Sequence, residues 1–351
     1  MYEFRWPTRT LVGVGLIDRI GEYVIPPPTA GRLLLVAPRE EWVRPLMQRF
    51  AVQLRKGGWE WVEDFAEVEP NPSWETVAQG AERGKAVGAS AVLAVGGGSS
   101  MDAGKVIAER CGATLLCTVP TTAGTGGEIS PWAVISNTET REKDSVVAKW
   151  PDLALLDPEL MLSLPPKVTL FTGIDAFIHG LEAYVSSAAT PVTDALALGG
   201  MELIASHLRV AVEHGDDLEA RSGMLQGSLL TGAAMLHAGL GLMHAIGNVA
   251  GGLYHELPHG LILMHCMNPV LEYNYPTVGQ KFTRLETLVS RVRADAKAIL
   301  ARFEIGPVRV AEVDLPLLAE RAVANVNART NPRPAAQDDV EALVRQAFVI
   351  Q

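Results

Sequence analysis

Asp175 and His179 stand four residues apart in an otherwise apolar stretch, GIDAFIHGLEAYVS (residues 173–186). On a helix that spacing puts both on one face. A buried carboxylate is costly unless it is paired or holds a metal. The pair therefore has two readings, a core histidine satisfied by a nearby Asp or the beginning of a ligand set. More donors follow in HAGLGLMHAIGNVAGGLYHELPHG (237–260). His237 and His244 are a heptad apart and share a face on one continuous helix, while His259 lies between Pro258 and Gly260, as a loop residue would. Asp175, His179, His244 and His259 together offer three imidazoles and a carboxylate. Such a set suits a divalent transition ion, Fe(II) or Zn(II), with a position left open for substrate. Spacing alone keeps core histidines as the alternative. His207 and His214, among charged neighbours, read as solvated.

A second group of residues suits an anion. AVLAVGGGSSMDAGKVIAERCG (91–112) reads as a strand, three glycines, two serines and a helix bearing Asp102 and Lys105. Glycines at that joint let backbone N–H groups approach a pyrophosphate, and a helix N-terminus adds partial positive charge. The stretch matches neither GxGxxG nor GxxxxGK[ST]. Its alternative is a tight turn capped by Ser99 or Ser100. The following strand leads into TVPTTAGTGGEIS (118–130), a second loop of small polar residues. Two such loops at neighbouring strand ends are where an α/β sheet binds its ligand.

The elements that must position these groups are legible as texture. RLLLVA (32–37), WEWVEDF (59–65), AVLAV (91–95), TLLCTVP (114–120) and LALLD (153–157) read as buried strands, with helical pieces such as SWETVAQGAERGKAVG (73–88) between them. That alternation predicts a parallel sheet covered on both faces. Beyond LSLPPKV (162–168) the chain turns to Ala, Leu and Gly with helical periodicity and almost no strand signal. We therefore expect an α/β domain over 1–164 and an all-helical domain over 165–351, divided at the Pro165-Pro166 pair. A chain of 351 residues, 48% hydrophobic, can bury two cores. Its net charge of −10 argues against nucleic acid as a partner. The apolar runs are short or interrupted and MYEFRWPTRT has no signal core, so a cytoplasmic location without a membrane partner is expected. Cys111, Cys117 and Cys266 form no disulfide framework and read as small buried side chains.

Four stretches, GGGSSMDAGK (96–105), PTTAGTGGE (120–128), GIDAFIHGLEAYVS (173–186) and HAIGNVAGGLYHELPHG (244–260), resemble the iron-containing (group III) alcohol dehydrogenases. The resemblance runs from PTRTLVGVG (7–15) to NPRPAAQDDVEALVRQAF (331–348). It implies the dehydroquinate synthase-like fold of that family, with an N-terminal dinucleotide domain, a helical metal domain, and a cleft for metal and nicotinamide. Carried over, Asp175, His179, His244 and His259 match the metal ligands. Gly96, Gly97, Gly98 and Ser99 match the pyrophosphate contact. Thr121, Thr122, Thr125 and Ser130 match the second coenzyme loop, Lys143 a ribose contact, and Asn71 the loop near the adenosine. Asp102 matches an aspartate close to the coenzyme, and with His237 it is a candidate catalytic residue. The implied reaction is hydride transfer between NAD(P)(H) and a small alcohol or aldehyde whose oxygen a Lewis-acidic Fe(2+), or Zn(2+), polarises. A homodimer is expected.

The chain departs from the family pattern in four ways. Asn248 stands where many members have a second His. His244 and His259 are fifteen residues apart, one more than the commonest spacing, so His255 competes as fourth ligand. His237 replaces a more usual Asn, and the chain is short after residue 275. The departures give His237 a proton-handling role, and two competing functions stand beside the main reading. One is a sugar-phosphate cyclase of the dehydroquinate synthase-like type, which expects Glu as first ligand and several Lys and Arg. The other is a non-catalytic, metal-poor relative. Pro38, where members preferring NAD tend to carry Asp, and the adjacent Arg39 lean towards NADP(H), against Glu40 and Glu41.

Overall fold

The computed structural model describes residues 2–28, 31–140 and 142–351. Its tertiary contacts form two units. One comprises Arg5–Thr122 and Gly126–Leu164; the other comprises Pro165–Gln351, Ala123–Thr125 and the N-terminal residues up to Phe4.

The first unit contains β1 (Arg9–Val12), α1 (Ile20–Tyr23), β2 (Arg32–Pro38), α2 (Val43–Lys56), β3 (Trp61–Val68), α3 (Trp74–Val87), β4 (Ala91–Gly96), α4 (Gly98–Cys111), β5 (Leu115–Pro120), β6 (Trp132–Asn137), β7 (Glu142–Val147) and β8 (Leu153–Leu156). Six strands pair in parallel in the order β1-β8-β5-β4-β2-β3. Side chains alternate across a strand, so a sheet covered on both faces needs nearly continuous apolar runs. Leu33, Leu35, Leu93, Val95, Cys117 and Val119 pack with Phe50 and Leu54 of α2 on one face. Leu34, Val36, Val92 and Leu116 pack with Val77 of α3 and Ile107 of α4 on the other. Gly96 pairs with Pro120, so β4 and β5 end level and release their loops side by side.

The strand set has differences from the sequence expectation. β3 starts at Trp61 because Trp59 turns inward, its ring buried and its Nε1 donating to the Val24 carbonyl at 2.7 Å. β1 was unanticipated, as was the antiparallel β6–β7 hairpin.

The second unit contains α5 (Pro166–Val185), α6 (Pro191–Glu213), α7 (Leu218–Ala238), α8 (Leu242–Leu253), α9 (His259–Arg302), β9 (Arg309–Val310), α10 (Leu315–Ala324), α11 (Gln337–Ala347) and β10 (Val349–Ile350). The short parallel β9–β10 pair is the exception to its helical character. α5, α6 and α7 pack on one another. Glycines set how closely: a Cβ on Gly200 would stand 2.8 Å from the Gly227 carbonyl oxygen. α6 is long and apolar enough to cross a membrane by composition, yet its length lies against α5, α7 and α9. α7 and α8 are bent by 101° at Gly239-Leu240-Gly241, where Gly239 has φ +73°. α9 carries Pro269 and Pro276 and breaks at Val278. His207 is half-buried rather than fully solvated: its Nδ1 lies 2.8 Å from the Leu203 carbonyl and its ring fills the space over Gly223. Cys117 and Cys266 are buried, and Cys111 is half-buried.

Candidate metal centre and coenzyme loops

Helix geometry brings Asp175, His179 and Glu182 of α5 to one face, because i, i+4 and i+7 align. His244 is the third residue of α8 and His259 the first of α9. The Nε2 atoms of His244, His179 and His259 stand 3.3, 3.6 and 3.8 Å from Asp175 Oδ1. One ligand atom each from Asp175, His244 and His259 fall within 4.8 Å of one another. Donors at about 2.1 Å from a tetrahedral ion are about 3.4 Å apart, so the donor set fits a divalent cation. The His179 ring stacks on His244, with centroids 4.5 Å apart and planes 14° from parallel.

Two of the rings are steered from behind. His179 Nδ1–H donates to the Gly124 carbonyl at 3.2 Å, and His244 Nδ1–H donates to Glu182 Oε2 at 2.6 Å. Carbonyl and carboxylate oxygens only accept, so in each neutral ring Nε2 carries the lone pair. Burial pulls His179 down to about 4, leaving it neutral at pH 7. Burial pushes Asp175 up, but the imidazoles around it outweigh this and hold it well below the usual carboxylate range. Burial likewise opposes charge on His244, yet its bonds to Asp175 and Glu182 raise it to about 9. A proton and a metal ion compete for that nitrogen.

Glu182 was missed in the sequence. Its only signal is its place seven residues after Asp175, and its partners come from α8. His255, the rival fourth ligand, is exposed in the turn between α8 and α9, apart from the donor cluster. The expected stripe of His237, His244 and Asn248 does not form, because the bend at Gly239–Gly241 puts His237 at the end of α7 and the other two on α8. The His237 ring packs against Phe4, with centroids 4.1 Å apart.

In the sheet unit, Gly96 has φ +141°, which only glycine adopts easily, and the Thr121 N–H bonds its carbonyl at 2.9 Å. Thr122 lies over Gly97, where a Cβ would come within 3.3 Å of its hydroxyl oxygen. α4 starts at Gly98 with Gly97 as its cap, so neither serine caps it. Ser99 Oγ instead accepts the Asn71 N–H at 3.1 Å. Asn71, at φ +56°, accepts Lys143 Nζ on its side-chain oxygen at 2.9 Å. Burial lowers the Lys143 pKa. Asp102 accepts from Lys105 Nζ at 3.1 Å and from the Val134 N–H at 3.0 Å, tying α4 to β6. Ser130 Oγ accepts from the Trp132 N–H. The second loop divides: Thr121 and Thr122 belong to the sheet unit, Ala123–Thr125 to the helical one.

Residues 7–158 match the iron-containing alcohol dehydrogenase family, and residues 169–348 match the C-terminal part of the Fe-containing alcohol dehydrogenase family. The chain is 36% identical to 1-propanol dehydrogenase PduQ of Salmonella typhimurium over 312 residues, covering 80% of this chain and 84% of that one. It is 32% identical to the NAD-dependent methanol dehydrogenase of Bacillus methanolicus, over 99% of this chain and all of that one. A crystal structure of 1,3-propanediol oxidoreductase superposes with a TM-score of 0.90 at 32% identity, over 99% of this chain and 100% of the other. The cyclase and the non-catalytic readings give way to these matches. The chain belongs to the iron-containing alcohol dehydrogenase family and is a nicotinamide-dependent oxidoreductase acting on CH–OH groups.

Proposed function

We propose that this enzyme interconverts a short primary alcohol and its aldehyde, with Fe(2+), or Zn(2+), held by Asp175, His179, His244 and His259. The observation that carries the reading is the convergence of three imidazole Nε2 atoms on Asp175 Oδ1 at 3.3–3.8 Å. The relatives named for 1-propanol, 1,3-propanediol and methanol support a small, unbranched substrate. When bound, the ion supplies Lewis acidity to the substrate oxygen, and the nicotinamide carries the hydride. The chain's own part is to keep donors ready: His179 neutral by burial, Asp175 ionised among imidazoles. Gly96, Gly97, Gly98 and Ser99 offer backbone N–H groups at the start of α4 for a pyrophosphate. Asn71, Asp102, Thr121, Thr122, Thr125, Ser130 and Lys143 complete the coenzyme side of the reading. Metal analysis with an aldehyde series and both reduced nicotinamides tests it. Stoichiometric metal with aldehyde-dependent loss of nicotinamide absorbance is expected; a metal-loaded protein inert towards every aldehyde overturns it.

The coenzyme reading leans to NADP(H). β2 ends at Pro38, so no carboxylate there repels a 2′-phosphate, and Arg39 is exposed. Glu41, one of the two opposing acids, is paired with Arg44 at 2.9 Å. A kcat/KM ratio above one for NADPH over NADH is expected, and the reverse ratio overturns it.

For proton handling we retain His237, now from the end of α7. His237→Asn should lower kcat in a pH-dependent way, partly restored by Asn248→His; a pH-independent loss leaves His237 a binding residue only. A homodimer is supported by β1, whose described pairing is with β8 alone, and by Val12 and Val14, exposed at and beside that edge. Three free cysteines support a reducing, cytoplasmic compartment.

A further inference from the structure

α8 begins without a cap of its own. Its N-cap is Gly241, which has no side chain to offer, so the first N–H groups of the helix need partners from elsewhere. Two distant side chains supply them. Asn331 Oδ1 accepts the Leu242 N–H at 3.2 Å. Glu182 Oε1 accepts the Met243 N–H at 2.7 Å, and Oε2 accepts the His244 N–H at 3.4 Å. The fit leaves no room at position 241, where a Cβ would stand 2.7 Å from Glu182 Oε1 and 2.8 Å from Asn331 Oδ1. Asn331 is itself locked by Asn274, through bonds of 3.1 and 2.8 Å in opposite directions.

Glu182 does one thing that Asn331 does not: its Oε2 also takes the His244 Nδ1–H at 2.6 Å. We propose that Glu182 is a positioning residue for the metal centre, fixing the rotation and the metal-facing nitrogen of His244. The proposal rests on the metal reading above. The carboxylate is 3% exposed and sits two helical turns from Asp175 on the same rigid helix. It thereby ties the ring on α8 to the carboxylate on α5 that the ring must face. A carboxylate or carbonyl behind a ligating imidazole is a general device for holding ring orientation, and its loss typically costs 10- to 100-fold in metal affinity.

The test is the rate at which a strong chelator strips Co(II) from the loaded enzyme, together with its visible absorption spectrum. Wild type, Glu182→Gln and Asn331→Ala are compared, and the thermal midpoint of each metal-free protein is measured alongside. Asn331→Ala removes one acceptor outright and Glu182→Gln leaves one acceptor oxygen where there were two, so both should lower the midpoint. Only Glu182→Gln, which leaves a single uncharged acceptor to serve both the Met243 N–H and His244 Nδ1–H, should speed metal release by about 10-fold or more and shift the Co(II) spectrum. Equal acceleration in the two variants, or none in Glu182→Gln, overturns the positioning role and leaves Glu182 as a helix cap. If Glu182→Gln does not fold, Glu182→Asp, which withdraws the carboxylate by one methylene, is read by the same criteria. A wild-type protein that takes up no Co(II) overturns the metal reading itself, a separate outcome from metal uptake with unchanged release.

Discussion

Asp175→Ala should yield a folded protein that retains no metal after dialysis and loses activity on the order of a thousandfold or more, the scale on which a Lewis acid contributes several kcal/mol. Asp175 is the hub of the site: its Oδ1 lies within 3.8 Å of the Nε2 atoms of all three imidazoles. Without it the donor set is three neutral rings with no charge to oppose a divalent ion. His179→Ala should follow the same direction with a smaller loss. His179 lies outside the tightest cluster, which Asp175, His244 and His259 form among themselves, and three donors then remain. The helix itself should tolerate both changes, since Ala is the strongest helix former. Circular dichroism would establish the fold and elemental analysis the occupancy. Full metal in both variants sinks the ligand assignment.

The parts of the molecule that could be read from sequence are those whose signal is local. β2, β4, β5 and β8 each bury both faces, so their apolar runs announce them. Asp175 and His179 stood out because polar residues one turn apart interrupt an apolar helix. The β6–β7 hairpin gave a weaker signal: WAVISN buries only Ala133 and Ile135, EKDSVV is polar over its first four residues and half-exposed, and the hairpin is held by bonds from Asp102, Lys105 and Asn71 that no periodicity encodes. The break between α7 and α8 was legible in principle, since two glycines in three residues punctuate a helix, but heptad spacing between His237 and His244 argued for continuity. Glu182 is the instructive omission. Its meaning comes from Met243 and His244, some sixty residues away, and a buried acid becomes interpretable only once its partners are known.

His259→Ala should weaken metal binding while His255→Ala leaves it unchanged. The turn between α8 and α9 can absorb an extra residue between His244 and His259 at lower cost than either helix could. What fixes His259 is the residue after it. Gly260 packs against the Phe171 carbonyl of α5 so closely that any side chain would collide, which pins the start of α9 to the helix that bears Asp175 and His179. His259 Nε2 thus comes to 3.8 Å from Asp175 Oδ1, with its ring 5.6 Å from that of His244. The side chain is still 32% exposed, so water can occupy the position it would hold on a bound ion. The loss in kcat/KM should accordingly be smaller than for Asp175→Ala, on the order of a hundredfold, with weakened rather than abolished metal uptake. His255, exposed in the turn, should give an Ala variant within about threefold of wild type, as surface substitutions away from such features usually do. Metal titration of the two variants decides the matter. Retention in His259→Ala with loss in His255→Ala would mean that the turn refolds around the ion and that the fourth ligand is His255.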